Sequence, residues 1–261
     1  GYGGVAVCMS GFTSFEIDST DFTENSAKMC ERGGGAIYMT GSSIGSVKDV
    51  TFTKNSASKG GAIAVHSGSV LTVYSITAKE NKAIAIECSC DKDRSYGWGG
   101  AIYLSWTTLN IEGDVNISNN SAVSGGGIYC DSTGLNVSGK VVIDGNTANG
   151  VSNNVYIPSN KGVVITGELD SASKIGVTTD DGEFAWGDGE NVTDVSAYAD
   201  NFYHDGGKPV YVEGGKLNIG FILLQNAHST NGYEMLTTGT PEYQWYVLAN
   251  GEWVAVEGAN K

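Results

Sequence analysis

Acidic side chains are the first candidates for chemistry, because glycoside hydrolases act through paired carboxylates. Asp49 and Asp114 occupy equivalent positions, each one residue before an apolar residue, Val50 or Val115. If the two stack two repeats apart, about 10 Å separates them, just beyond the usual spacing of an inverting pair. The sequence therefore does not favour catalysis at this pair.

Other catalytic and metal-binding patterns have still less support. The three histidines lie in unrelated contexts, without a neighbouring nucleophile and orienting group. Cys88 and Cys90 have no second pair of cysteines or histidines at zinc-ligand spacing. The segment from Asp180 to Asp205 has six carboxylates between Asp180 and Asp194, which is compatible with a calcium loop, but the EF-hand spacing is absent. We expect no catalytic residue and no cofactor, and a solvated acidic loop rather than calcium.

Aromatic residues are better candidates for binding. One recurring position holds tyrosines predicted to face outward as a strip: Tyr38, Tyr103, Tyr129 and Tyr156. Such a strip suits sugar or protein contacts, although its rings could equally pack against one another. A second candidate is the loop from Glu87 to Trp98, where Tyr96 and Trp98 join five charged residues. The predicted ligand-binding residues are thus Tyr96, Trp98, Tyr103, Tyr129 and Tyr156.

Internal repeats must position these residues. Gly-Gly segments begin at Gly34, Gly60, Gly99 and Gly125, and the intervals are 26, 39 and 26 residues. A second motif ends each time in an asparagine: Asn25, Asn55, Asn81, Asn120 and Asn146. The extra residues of the longer intervals fall between the asparagine and the following glycines. One coil is therefore about 26 residues, with insertions concentrated in one loop.

Apolar residues alternate within each coil and align between coils, as expected for strands with one buried face. Three short strands per coil, each parallel to its copy in the next coil, predict an all-β, right-handed parallel β-helix of about six coils. The register predicts that the following are buried: Val50, Phe52, Ile63, Val65, Ile102 and Leu104. The asparagines are expected at a bend with left-handed backbone angles, joined by a ladder of side-chain amides. The glycines are expected at a tight corner.

The five cysteines divide by position in the coil. Cys30 and the pair Cys88 and Cys90 fall in insertion loops two coils apart, so a disulfide between them is a candidate. Cys8 and Cys130 are predicted to share an inward column about 19 Å apart, too far to pair.

Composition excludes some classes of partner. A formal net charge of −14 in 261 residues would repel nucleic-acid phosphates. No apolar run is long enough to insert into a membrane, and no signal peptide is visible. With 38 glycines the chain suits tight turns rather than helices. We interpret it as part of a longer, extracellular or cell-surface polypeptide.

The paired GGAI and FxxN motifs resemble those of the chlamydial polymorphic outer membrane protein family. GGAI stands at residues 34–37, 60–63 and 99–102, and FxxN at 22–25 and 52–55. Later coils replace the phenylalanine with Ala78, Ile117 or Ile143. The resemblance covers about residues 1–160 and implies an adhesin-like surface role without naming a ligand. We expect the partner to be a host or environmental glycan or a surface protein.

The remaining chain departs from the repeat. We predict β-helix repeats over 1–178, an irregular acidic and β region ending the helix over 179–240, and a hairpin or cap over 241–261. Asn250-Gly251 is a hairpin turn signal. Trp245 and Trp253 around it also resemble the start of a bacterial Ig-like domain. Two other functions stay open: a polysaccharide lyase or glycoside hydrolase, and a structural spacer.

Overall fold

The computed structural model describes residues 5–27, 33–85, 96–132 and 134–220, and the backbone of residues 246–249 and 252–255. These residues form a parallel β-helix of about seven turns, in which nearly all the regular secondary structure is strand. The predicted fold class is confirmed, with one turn more than the six coils expected.

Each coil presents three faces. The first face follows the Gly-Gly corner and comprises Val7–Ser10, Ile37–Thr40, Ile63–His66, Ile102–Ser105, Ile128–Asp131 and Val155–Ile157. The second and third faces begin as separate strands, Ser14–Asp18 with Asp21–Thr23, and Ile44–Lys48 with Val50–Thr53. From the third coil they merge into the bent strands Val70–Lys79, Thr108–Ser118 and Gly134–Asp144.

Short strands close each coil after the asparagine: Ser26–Ala27, Ser56–Ala57, Lys82–Ala83, Ser121–Ala122, Thr147–Ala148 and Val151–Ser152. The last of them is antiparallel to its neighbour. The final turns contain Val163–Leu169, Lys174–Thr179, Glu183–Gly187, the 3-10 helix Ser196–Asn201, Phe202–His204, Val210–Glu213 and Lys216–Ile219. Tyr246–Ala249 and Glu252–Ala255 pair as a separate antiparallel hairpin.

The core fills the space between the three faces. All six side chains predicted to be buried are at most 2% exposed. The rings of Phe22 and Phe52 stack with their centroids 5.3 Å apart. Apolar side chains of equivalent positions thus lie on top of one another, as the 26-residue register predicted.

The asparagine ladder is confirmed, with one correction to its backbone. Each side chain donates from Nδ2 to Oδ1 of the next asparagine, in the order Asn25, Asn55, Asn81, Asn120, Asn146 and Asn154. The last rung, Asn154, donates to the Asp205 carboxylate at 2.5 Å. The left-handed backbone angles belong to the residue before the asparagine, for example Lys54 with φ 56°. The backbone N–H of the asparagine itself also donates to the next rung, as from Asn55 to Asn81 Oδ1.

The Gly-Gly corner needs glycine twice, for different reasons. Gly60 has φ 59°, in the left-handed region. Gly61 lies so close to the next coil that a Cβ would stand 2.2 Å from the Gly100 carbonyl oxygen. The predicted close approach of neighbouring coils at this corner is therefore present.

The first coil is shifted by one residue from the predicted register. Cys8 pairs with Tyr38 and Met9 with Met39, so Cys8 faces outward and is exposed. The prediction that Cys8 shares the inward column of Cys130 is wrong, because the strand entering this coil places Met9 in that column. Cys130 is buried as predicted, and its Sγ donates to the Ser132 carbonyl. Cys30, Cys88 and Cys90 lie outside the described residues.

The helix ends gradually. Parallel pairing extends past residue 178, as far as Phe202–His204. The antiparallel pair Val210–Glu213 and Lys216–Ile219 then joins Glu183–Gly187. The hairpin predicted at Asn250-Gly251 is confirmed by its two strands, whereas its role as a cap or as the start of an Ig-like domain stays a prediction, as do the domain boundaries.

Candidate functional site

The outward side chains of the first face form a continuous aromatic stack. The strands align Tyr103 with Tyr129, and Tyr129 with Tyr156. Their ring centroids are 5.6 Å and 5.2 Å apart along this series. Because parallel strands repeat about every 4.8 Å, identical positions bring the rings into stacking distance.

Trp98 lies over this stack. A bridge to Lys59 on one side and Ser124 on the other fixes its backbone at the Gly-Gly corner. Its ring is 5.1 Å from Tyr129 at 15° and 6.1 Å from Tyr103 at 23°. The indole is therefore held nearly parallel to two phenol rings.

A lysine and a fourth tyrosine complete the cluster. Tyr96 contacts Trp98 edge-on with the centroids 5.2 Å apart. The Lys59 ammonium lies 4.0 Å from the Tyr96 centroid and 5.6 Å from that of Tyr103. A cation over aromatic faces is attracted by their negative charge distribution, so Lys59 ties the Trp98 corner to the tyrosine stack.

His66 fills a gap in the tyrosine column. The third coil carries Ala64 at the tyrosine position, and His66, two residues later, inserts its ring between Tyr38 and Tyr103, at 5.4 Å and 5.1 Å. Its Nε2 is buried without a hydrogen-bond partner. Burial, and secondarily the charge of Lys59, lowers the pKa of His66 to about 4. The ring is therefore neutral at pH 7.

The expectation of an exposed tyrosine strip is corrected. Tyr38 and Tyr103 are only 6% and 4% exposed, because neighbouring rings and Lys59 cover them, and Tyr96 is 5% exposed. The structure brings all five predicted binding residues into one cluster, but only Trp98, Tyr129 and Tyr156 keep an accessible, half-buried surface. We call these three the aromatic surface.

Burial also fixes the protonation of the phenols. It raises the pKa of Tyr103 to about 12. Burial and the hydrogen bond from the Tyr156 hydroxyl to Asp180 raise the pKa of Tyr156 to about 12. Tyrosine hydroxyls are already neutral at pH 7, and these shifts keep both of them protonated into the alkaline range.

Two members of the cluster were not predicted from the sequence. Lys59 precedes Gly60 as Trp98 precedes Gly99, so the repeat register alone places the two side by side. The signal for His66 is the alanine that interrupts the tyrosine column. Most of the predicted loop from Glu87 to Trp98 lies outside the described residues, which begin again at Tyr96.

Two of the acidic residues considered for chemistry have partners of other kinds, a lysine for Asp114 and backbone N–H groups for Asp188. Asp114 forms an ion pair with Lys140 at 2.9 Å, rather than facing a second carboxylate. In the acidic segment, Asp188 accepts hydrogen bonds from the backbone N–H groups of Glu190, Asn191 and Val192. Within the described ranges, no three His, Cys, Asp or Glu side chains converge to hold a metal ion.

No helix in the described part of the chain is both long enough and apolar enough to span a membrane. The model of the Chlamydia polymorphic membrane protein (Chlamydia_PMP) repeat matches residues 19–40, 49–66 and 114–131. Each matched segment runs from a third-face strand through a ladder asparagine and a Gly-Gly corner to a first-face strand. No curated protein and no solved structure matches the chain. The chain therefore contains three segments that are similar to the Chlamydia polymorphic membrane protein repeat.

Proposed function

We propose that this chain is a non-catalytic, adhesin-like binding module that contacts a glycan or protein on a target surface through the aromatic surface. The observation that carries the proposal is the stacking of Trp98 on Tyr103 and Tyr129. A half-exposed indole fixed in this way loses little conformational freedom on binding, and aromatic anchors of this kind dominate binding energy at interfaces.

The position of the aromatic surface supports the same function. Trp98 closes the insertion that begins after Asn81, and the stack beneath it rests on a rigid series of coils. Recognition residues typically lie where loops emerge from a rigid scaffold. The acidic groups favour binding over catalysis, because Asp114 is neutralised by Lys140. An extracellular or cell-surface location fits the repeat family.

The test compares two tryptophans of the same coil. Trp98→Ala removes the centre of the aromatic surface, whereas Trp106→Ala removes an exposed tryptophan that is 77% accessible and belongs to another corner. We expect Trp98→Ala to weaken attachment of the purified chain to cultured animal cells or to a printed glycan array by at least about tenfold, and Trp106→Ala to have little effect. Circular dichroism and urea unfolding verify the fold of both variants.

The competing functions give different results. A structural spacer would attach to neither surface, and neither substitution would change anything. An enzyme would release oligosaccharides from a polysaccharide, and Asp49→Asn or Asp114→Asn would abolish the release. Equal attachment of the two tryptophan variants would show that the aromatic surface does not mediate attachment.

A further inference from the structure

The outward side of the second face carries one continuous column of side chains, separate from the aromatic surface. Strand pairing aligns one residue per coil: Glu16, Ser46, Thr72, Asn110, Asn136, Val164 and Trp186. Neighbouring members are about 4.8 Å apart, the spacing of parallel strands. We call this row the central column.

Hydrogen bonds fix the middle of the central column. Asn136 donates from Nδ2 to Asn110 Oδ1 at 2.8 Å, and Asn110 donates from Nδ2 to Thr72 Oγ1 at 3.2 Å. All three side chains are half-buried. Each amide has two N–H hydrogens and an oxygen with two lone pairs, so donors and acceptors remain for a ligand after this bonding. The remaining groups repeat at the coil spacing.

A groove with an aromatic residue lies toward each end of the column. One groove, of about 590 Å³, includes Ser46, Thr72 and the exposed ring of Tyr74 in its lining. The other, of about 310 Å³, is lined by Trp186 and Lys216 among others. A Cβ on Gly162 would stand 2.3 Å from the Trp186 ring, so glycine allows the indole to approach the backbone closely here. The Lys216 ammonium lies 5.4 Å from the centroid of the same ring.

The middle of this face is poor in charge. The outward residues of its third to sixth strands are Val70, Thr72, Tyr74, Thr108, Asn110, Glu112, Gly134, Asn136, Ser138, Val164, Thr166 and Glu168. Glu112 and Glu168 are the only charged residues in this set, although the chain carries a net charge of −14. Hydroxyl and amide groups between aromatic rings complement a neutral, hydroxylated ligand, whereas Glu112 and the net charge repel a polyanion.

We propose that the second face binds an unbranched, neutral, β-linked oligosaccharide that lies along the helix axis. One sugar of an extended β-linked chain rises by nearly the same distance as one coil, so successive sugars would meet the hydroxyl of Thr72 and the amides of Asn110 and Asn136 before the apolar Val164. Tyr74 and Trp186 would stack on sugar rings at the two ends. The four coil spacings between Thr72 and Trp186 span about 19 Å, which accommodates several sugars.

Calorimetry with cellohexaose and chitohexaose tests the proposal directly on the whole chain. We expect at least one of these β-linked hexamers to bind, while the α-linked maltohexaose and the anionic hexagalacturonate bind at least tenfold more weakly. The double substitution Asn110→Ala, Asn136→Ala should weaken binding at least tenfold, and Tyr74→Ala should weaken it at the groove. Asn116→Ala is the matched control, because Asn116 is an exposed asparagine on the same strand but on the third face.

The outcomes separate this site from the aromatic surface. Failure of both β-linked hexamers to bind at millimolar concentration would overturn the proposal, as would equal binding of maltohexaose or equal effects of the Asn110/Asn136 and Asn116 substitutions. Trp98→Ala should leave hexamer binding unchanged. Loss of cell attachment in Trp98→Ala without any hexamer binding would refute only the second-face site, and the reverse pattern would refute only the aromatic surface.

Discussion

Removing one rung of the asparagine ladder should destabilise the whole β-helix. The Asn81 side chain is fully buried. Its Oδ1 accepts from the backbone N and the Nδ2 of Asn55, at 2.9 Å and 3.0 Å. Its Nδ2 donates to the Phe52 carbonyl and to Asn120 Oδ1, both at 2.9 Å. Asn81→Ala deletes all four hydrogen bonds and leaves their partners in place.

The magnitude follows from which partners are left unpaired. Asn120 Oδ1 still accepts from the Asn81 backbone N–H. The Asn55 backbone N–H and one Asn55 amide hydrogen lose their acceptor inside the core. Each buried unpaired donor costs about 1–3 kcal/mol, so we expect Asn81→Ala to lower the free energy of unfolding by about 4 kcal/mol.

Asn25→Ala is the matched control, because Asn25 occupies the first described rung and is only half-buried. Its side chain donates to Asn55 Oδ1, and that oxygen also accepts from the Asn25 backbone N–H, which the substitution retains. No buried donor loses its acceptor, so the expected cost is below about 1 kcal/mol.

Urea unfolding followed by both tryptophan fluorescence and circular dichroism measures the difference. Coincident transitions are required before a free energy is extracted, since repeat proteins can unfold in parts. Equal costs for Asn81→Ala and Asn25→Ala, with unchanged dependence on urea, would refute the role of the ladder in stability.

Two further predictions concern the core and the cluster on the first face. Phe52→Ala should lower the free energy of unfolding by about 3–5 kcal/mol, since the ring is fully buried and stacks on Phe22. A loss below about 1 kcal/mol in urea unfolding would contradict this role of the ring in the core. Because the pKa of His66 is about 4 when folded and 6.5 in its ordinary state, the unfolded chain binds more protons in the window between these values. The free energy of unfolding should therefore decrease as the pH is lowered through that window, by about 2 kcal/mol from pH 7 to pH 5. His66→Gln should remove most of this pH dependence, whereas His204→Gln should remove little because His204 is less buried. If wild type and His66→Gln showed the same pH dependence, the lowered pKa of His66 would not be its cause.

The repeat period was sufficient to predict the interior of the coils. Phe52 lies on the third face and Ile63 on the first, yet both are buried, because a period of 26 residues aligns every inward position with its copy. The asparagine ladder was also predictable, since a side-chain amide can both donate and accept along a stack. At Cys8 the register was wrong by one residue, because only a degenerate Gly-Gly copy precedes it.

The candidate site was harder to predict than the core. Its five residues were identified from the sequence, but the burial of Tyr103 depends on Lys59 and Trp98, which reach across from the corner of the coil. The direction of a long side chain at a corner depends on local backbone geometry rather than on the period. The same reason applies to His66, whose ring occupies space left by Ala64.

The end of the ladder was also beyond the repeat pattern. Asn154 follows Asn146 by eight residues rather than 26, and it joins the ladder because the chain reverses between them. Asp205 lies in an acidic segment that resembled a calcium loop, yet its carboxylate accepts from the backbone N–H and the Nδ2 of Asn154. Neither contact could be inferred from spacing.

The chemistry of this last rung gives the ladder a direction and an end. Along the series, each side-chain oxygen accepts from the preceding asparagine and each Nδ2 donates one hydrogen to the following one, toward Asp205. The second Nδ2 hydrogen of Asn55, Asn81 and Asn120 goes to a backbone carbonyl of the preceding coil. A carboxylate is stabilised by these donors, but it has no hydrogen to donate to a further rung. Asp205 therefore terminates the series in the same region where parallel pairing gives way to the antiparallel pair Val210–Glu213 and Lys216–Ile219. The rigid coils between Asn25 and Asp205 hold the aromatic surface and the central column on separate faces, so two contacts could be made without either depending on the other.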